Sequence, residues 1–264
     1  MRILLIRRAN DPLNRFGMAR WLASISELTG IVVIEESPRE VLTRIRKEIG
    51  RSGFWRFWDI LAFRIYYRLK LNRADEEWER DKLEELSRRY PGPASSIPLL
   101  VCASPNAPEV SEFIRRTEPD LAIARCKVLL KEEIFRLPKV GTFVMHPGVC
   151  PEYRNAHGCF WALANRDLDH VGMTLLRVDR GVDTGPVYGY YSCAFDELRE
   201  SHLVIQQRVV FDNLEVLAEK LRDICAGRAV PLDTSGRKSG VWGQPWLSRY
   251  LRWKREAARG RATR

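Results

Sequence analysis

Val144-Met145-His146-Pro147-Gly148-Val149-Cys150-Pro151-Glu152-Tyr153-Arg154 runs out of a short apolar segment into a His-Pro turn. A second stretch, Val178-Asp179-Arg180-Gly181-Val182-Asp183-Thr184-Gly185-Pro186, ends a Val/Met/Leu-rich segment in Asp-Thr-Gly-Pro. Each sets a titratable side chain at the exit of an expected strand, and open α/β sheets carry their chemistry at strand exits. A histidine exchanges protons near neutral pH, and a carboxylate beside it orients the ring and stabilises its charged form. His146 and Asp183 are therefore the candidate catalytic pair. On the residues alone a structural reading stands beside this one, because His-Pro can close a turn and Asp-Thr-Gly can cap one.

The 264 residues, 45% of them hydrophobic, suit one sizeable α/β domain with a small appendage, and that composition does not fit a disordered chain. Six cysteines are scattered without a Cys-x-x-Cys pair and no secretory leader precedes the first strand, so the expectation is a reduced, cytoplasmic protein without a metal site. Cys150 lies close to the candidate pair and reads as a buried structural thiol. A formal net charge of +10 attracts anionic partners: nucleotide sugars, polyglutamylated folate, nucleic acid or an acidic membrane face.

Outward from the central stretch, Arg2-Ile3-Leu4-Leu5-Ile6 reads as the first buried parallel strand. Arg7-Arg8-Ala9-Asn10-Asp11-Pro12 follows it, with no glycine-rich phosphate loop and no dinucleotide fingerprint. Phe16 to Leu28 is expected to be a helix, and Ile31 to Ile34 the second strand. Ser37-Pro38-Arg39-Glu40 has the form of a capping box, which predicts a helix to about Ile49, with a break at Gly50 and Gly53. Residues 50–96 read as a helical insertion after the second strand. Within it, residues 54–72 interleave aromatic and aliphatic side chains with Arg56, Arg64, Arg68 and Lys70. Such a helix is too charged to span a membrane. It suits a membrane surface, an acceptor platform, nucleic acid, or packing on the body or on a second subunit of a homo-oligomer. Further on, Ile97–Val101 and Asp120–Ala124 read as strands, a helix starts near Pro108, and one long helix is expected from Glu200 to Ala226, stopped by Gly227. Residues 228–264 form a basic, aromatic extension, in which 246–258 is a second candidate for peripheral contact with an anionic membrane.

The order His146-Pro147-Gly148, Pro151-Glu152-Tyr153-Arg154, an apolar Phe160–Asn165 helix, Val171-Gly172-Met173-Thr174 and Asp179–Pro186 resembles the folate-dependent formyltransferases, over about residues 118–192. The family includes glycinamide ribonucleotide transformylase, methionyl-tRNA formyltransferase and the N-formyltransferases of nucleotide-linked amino sugars. The resemblance implies a Rossmann-like α/β fold, mostly parallel, with helices on both faces, for residues 1–227. It implies 10-formyltetrahydrofolate as formyl donor, a small-molecule amine as acceptor, and catalytic roles for His146 and Asp183. Arg125, Cys126 and Lys127 fall on the loop that contacts the donor's pterin, while Val144, Pro147, Gly148, Tyr153, Arg154 and Gly185 shape the site. One position departs from the pattern. The family carries an asparagine two residues before the histidine, where its amide helps hold the oxyanion, and here that residue is Val144, which donates no hydrogen bond. Asn155 and His157 are the nearby polar residues that could compensate. The phosphate-binding loop of the glycinamide-specific relatives is missing, and the basic extension does not fit the domain that seats tRNA, which makes initiator tRNA a poor fit. The expected function is N-formyl transfer to a nucleotide-linked or lipid-linked amino sugar. The alternatives are a hydrolase or acyl-group enzyme on the same scaffold, or a catalytically weak folate- or sugar-nucleotide-binding protein.

Overall fold

A computed structural model describes residues 1–35, 54–92 and 96–262. The helix expected to start at Ser37, and the break at Gly50 and Gly53, lie outside the described residues.

Strand β1 (Arg2–Arg8) leads through a π-helical turn, Leu13–Met18, into α1 (Ala19–Ile25) and β2 (Glu27–Ile34). Leu28 therefore belongs to a strand, not to the end of the expected helix, because Leu28 pairs with Ile3 of β1. The insertion supplies α2 (Phe54–Lys70) and α3 (Asn72–Arg89), and β3 (Leu99–Cys102), α4 (Pro108–Thr117), β4 (Leu121–Arg125), α5 (Glu132–Phe135) and β5 (Gly141–His146) follow. After β5 come β6 (Arg154–Asn155), α6 (Gly158–Ala164), β7 (Met173–Arg177), β8 (Val187–Tyr191), α7 (His202–Phe211), α8 (Leu214–Cys225), β9 (Val241–Trp242) and α9 (Leu247–Ala262). The helix expected over 200–226 is broken at Asp212-Asn213. There the Asn213 amide donates to the carbonyls of Ser192 (2.9 Å) and Val209 (3.0 Å), competing with continued helix.

Seven strands form one sheet in the order β3-β2-β1-β4-β5-β7-β8, parallel from β3 to β5 and antiparallel beyond. Strand alternation divides the core: Ile3 and Leu5 join the cluster under α1, α6, α7 and α8, whereas Leu4 and Ile6 join the one under α4 and α5. Helices thus cover both faces, and the order reverses between β1 and β4, where such sheets open a crevice at their C-terminal edge. Arg7, next to last on β1, and Arg125, which ends β4, border it, and His146 ends the next strand, β5.

The inner side of α2 packs onto the body. Phe63 lies 6.1 Å from Phe160, 5.3 Å from His202 and 5.1 Å from Tyr250, ring centre to ring centre. Asp75 of α3 accepts from Tyr67 (2.8 Å) and Ser201 (2.6 Å), tying the insertion to the start of α7. On α9, Tyr250 and Trp253 are 2% and 0% exposed. Both rings face inward, Tyr250 against Phe63 of α2 and His202 of α7 and Trp253 against Tyr250, so only the other side chains of 246–258 are open to a membrane surface.

Candidate active site

His146 ends β5 and is buried, with its Nδ1 3.4 Å from Asp183 Oδ2. Its Nε2 lies 2.9 Å from the Tyr153 carbonyl oxygen, which can only accept, so Nε2 carries a proton and donates it there. Nδ1 is left as the working nitrogen, and a proton arriving on it is shared with Asp183. The carboxylate is held in turn by the Asn155 backbone N–H, 2.8 Å from Oδ2. Asp183, Asn155 and His157 all sit at positive φ, 51°, 75° and 56°. Side chains other than glycine rarely adopt that conformation, and strained backbone gathered at one place is characteristic of functional sites.

The turn between His146 and Tyr153 is fixed by close contact. A β-carbon on Gly148 would meet the Tyr153 carbonyl oxygen at 2.4 Å and His146 Nε2 at 2.7 Å, so only glycine fits under the ring. One on Gly185 would meet the Arg177 carbonyl oxygen at 1.8 Å, which explains the glycine in the Asp183 loop. Thr174 on β7 clamps the turn from below: its hydroxyl donates to the Gly148 carbonyl (2.7 Å) and accepts from the Cys150 N–H (2.9 Å). Burial, reinforced by the charge of Asp183, pushes the Cys150 thiol up to about 12, so it stays protonated and inert as a nucleophile.

The residues read as compensating for Val144 each have contacts elsewhere, although His157 Nδ1 is buried without a hydrogen-bond partner. One N–H of the Asn155 side-chain amide donates to the Trp242 carbonyl. His157 packs 5.8 Å from the His202 ring, joining the aromatic cluster beneath α2. Val144 shares its face of β5 with His146 and packs among Cys150, Leu176, Val187 and Tyr190. Arg125 acts as a brace, donating from Nε to Asn14 Oδ1 (2.9 Å) and from Nη1 to the Met145 carbonyl. Cys126 donates to the Val128 carbonyl, and burial lifts its thiol to about 11, while Lys127 remains exposed on the loop. Arg154 buries a guanidinium Nε without a partner. Among the described residues no group of three or more His, Cys, Asp and Glu could hold a metal ion.

Sequence reasoning missed the role of Trp242. Strands β6 and β9 pair Asn155 with Trp242, whose indole N–H donates to the Glu152 carbonyl (2.8 Å) and whose rings stack on Tyr153 (5.6 Å) and Trp161 (4.9 Å). The density of tryptophan around residue 242 was the available signal, but nothing local names its partner.

Burial keeps both histidines of the cluster neutral: His157 is pushed down to about 3, with Lys127 adding to the effect, and His202 falls well below its ordinary value. Between about pH 6.5 and 3 the unfolded chain therefore binds protons that the fold does not. Stability falls with acid in that window by up to about 1.4 kcal/mol per pH unit for His157, and His202 acts in the same direction. Urea unfolding at falling pH should show a shallower loss for a His157→Gln/His202→Gln variant than for the parent protein.

A formyl transferase family profile matches residues 90–221, half of the chain, and this span contains His146 and Asp183. The methionyl-tRNA formyltransferase of Caldanaerobacter subterraneus subsp. tengcongensis is 29% identical over 127 residues, which are 48% of this chain and 40% of that protein. The chain thus spans about two fifths of the length of such curated relatives. A sugar N-formyltransferase from Shewanella sp FDAARGOS_354 shares the fold with a TM-score of 0.55 at 15% identity, covering 92% of this chain and 76% of that one. So does a 4-N formyltransferase from Francisella tularensis, with a TM-score of 0.55 at 11% identity, covering 97% and 87%. On the profile match across half its length, this chain belongs to the formyl transferase family.

Proposed function

We propose that the protein transfers a formyl group from 10-formyltetrahydrofolate to the amine of a nucleotide-linked or lipid-linked amino sugar. The observation that carries this reading is the 3.4 Å contact between His146 Nδ1 and Asp183, inside the span that matches the family. The donor supplies an electrophilic formyl carbon. As the acceptor amine forms its C–N bond to that carbon, Asp183 takes up the proton the amine sheds. Protonated on Nδ1 and oriented by Tyr153, His146 stabilises the tetrahedral oxyanion and returns a proton as the bond to the donor nitrogen breaks. The bond formed and the bond broken are both C–N, so nothing is oxidised or reduced.

The class of acceptor is supported by the crevice beside the pair. Arg7 is 5% exposed, yet among the described residues no carboxylate pairs with it. One of its nitrogens, Nη1, donates to the Arg8 carbonyl (2.9 Å), while Nε is buried without a partner. Burial and nearby Arg15 lower its pKa, with Asp11 opposing them weakly. A buried guanidinium in that state favours an anionic ligand, as the phosphates of a nucleotide- or lipid-linked sugar would be. Two of the proteins sharing the fold are a sugar N-formyltransferase and a 4-N formyltransferase, in keeping with this choice.

Val144 favours a second reading, a catalytically weak protein that keeps the folate or sugar-nucleotide pocket. Calorimetric titration with 5-formyltetrahydrofolate, a stable stand-in for the donor, tests the first step common to both. Saturable binding with a Kd of roughly micromolar, weakened in Asp183→Ala, is expected. A folded protein that binds none of it would overturn formyl transfer and leave only the sugar-nucleotide pocket of the second reading.

A further inference from the structure

Helix α2 is apolar on two opposite sides. Ile60 and Phe63 are buried against the body, whereas Trp55, Trp58, Ile65 and Leu69 are 84%, 51%, 54% and 74% exposed. Their separations of three, seven and four residues, with Ala62 between, set these four on one stripe of the helix. The outer side of a surface helix is normally polar, so an apolar outer stripe calls for an explanation. Arg64 and Arg68, both exposed, flank it.

Helix α9 lies against α2, joined by tilted ring contacts of Tyr250 with Phe63 and Tyr66 and by the Ser248 N–H donating to Asp59 (3.0 Å). Both helices rest on α6 and α7, so their outer sides form one surface. On α9, Tyr250, Trp253 and Ala257 turn inward, while Arg252, Arg255 and Arg259 are exposed. The two helices carry ten of the chain's Lys and Arg residues against two acids, Asp59 and Glu256. Most of the net charge of +10 therefore sits on this layer.

We propose that the outer surface of α2 and α9 docks on an anionic lipid bilayer. The Trp55-Trp58-Ile65-Leu69 stripe enters the boundary between headgroups and acyl chains, and the flanking arginines lie at the level of the lipid phosphates. No helix among the described residues is long and apolar enough to cross a membrane, so the contact is one of lying on the surface. A second copy of the chain fits this surface poorly, because a two-fold contact would set the α9 arginines of one copy against those of the other. Nucleic acid fits it less well than lipid: Trp55 and Trp58 could stack on bases, but Ile65 and Leu69, the other half of the stripe, offer them nothing.

Co-sedimentation with vesicles decides the matter. The 264-residue chain should bind phosphatidylcholine vesicles containing about a third phosphatidylglycerol, bind pure phosphatidylcholine far more weakly, and lose affinity as salt rises. Ile65→Ser with Leu69→Ser should weaken binding roughly tenfold or more, and so should Arg252→Glu with Arg255→Glu. All four side chains point to solvent, so the melting temperature of either variant should match that of the parent. Binding indifferent to phosphatidylglycerol, or unchanged in both variants, would overturn the proposal. So would a protein that ignores vesicles and self-associates through the stripe, with Ile65→Ser/Leu69→Ser restoring the monomer.

Discussion

Asp183→Asn should lower formyl transfer by roughly 10²–10⁴-fold, the usual contribution of a positioned acid–base group, while leaving the fold intact. Asparagine is the informative replacement because Asp183 sits at φ 51°, a conformation that asparagine tolerates far better than alanine. Its amide oxygen can still accept from the Asn155 N–H, now at 2.8 Å from Oδ2. What changes is the charge: the oxygen that accepts from Asn155 is also the one facing His146 Nδ1, and a neutral amide oxygen there can neither take up the proton of the attacking amine nor balance a protonated imidazole. The loss should therefore fall on kcat with little change in folate affinity or melting temperature. A variant that keeps the parent rate would remove Asp183 from the chemistry and leave His146 without its proton acceptor.

What the sequence made legible was local. The apolar runs in residues 2–8 and 141–146 follow from burial on both sides of a sheet, and the His-Pro-Gly turn and the Asp183 loop announce themselves through residues that few other conformations favour. Contacts between distant segments were not legible. The Asn155 amide meets a carbonyl 87 residues away, and Arg125 braces Asn14 at a separation of 111, partners that no local pattern names. Periodicity has the same limit on α9: it marks Tyr250, Trp253 and Ala257 as one apolar side but carries no information on what covers that side. On α2 two apolar sides compete, and only tertiary packing assigns one of them to the core.

Val144→Asn should raise formyl transfer by roughly 10–100-fold, somewhat less than the 10²–10³ usually lost with one oxyanion donor, because the surroundings have adapted to valine. Position 144 lies two residues before His146 on the same strand, so both side chains project from one face of the sheet and an amide there can reach an oxygen lying between them. The surroundings oppose it. Leu176 and Val187 are apolar neighbours, and the buried Cys150 thiol is held protonated, so an amide set among them is only partly satisfied before substrate arrives. That burial should cost about 1–3 kcal/mol, seen as a melting temperature lower by several degrees. Activity and stability are thus expected to move in opposite directions, which separates a restored donor from any general tightening of the site. Val144→Ala is the control: it supplies no donor and should not raise the rate. If Val144→Asn binds 5-formyltetrahydrofolate as the parent does but gains no rate, the oxyanion must be held by another group, and the valine belongs to a different catalytic solution.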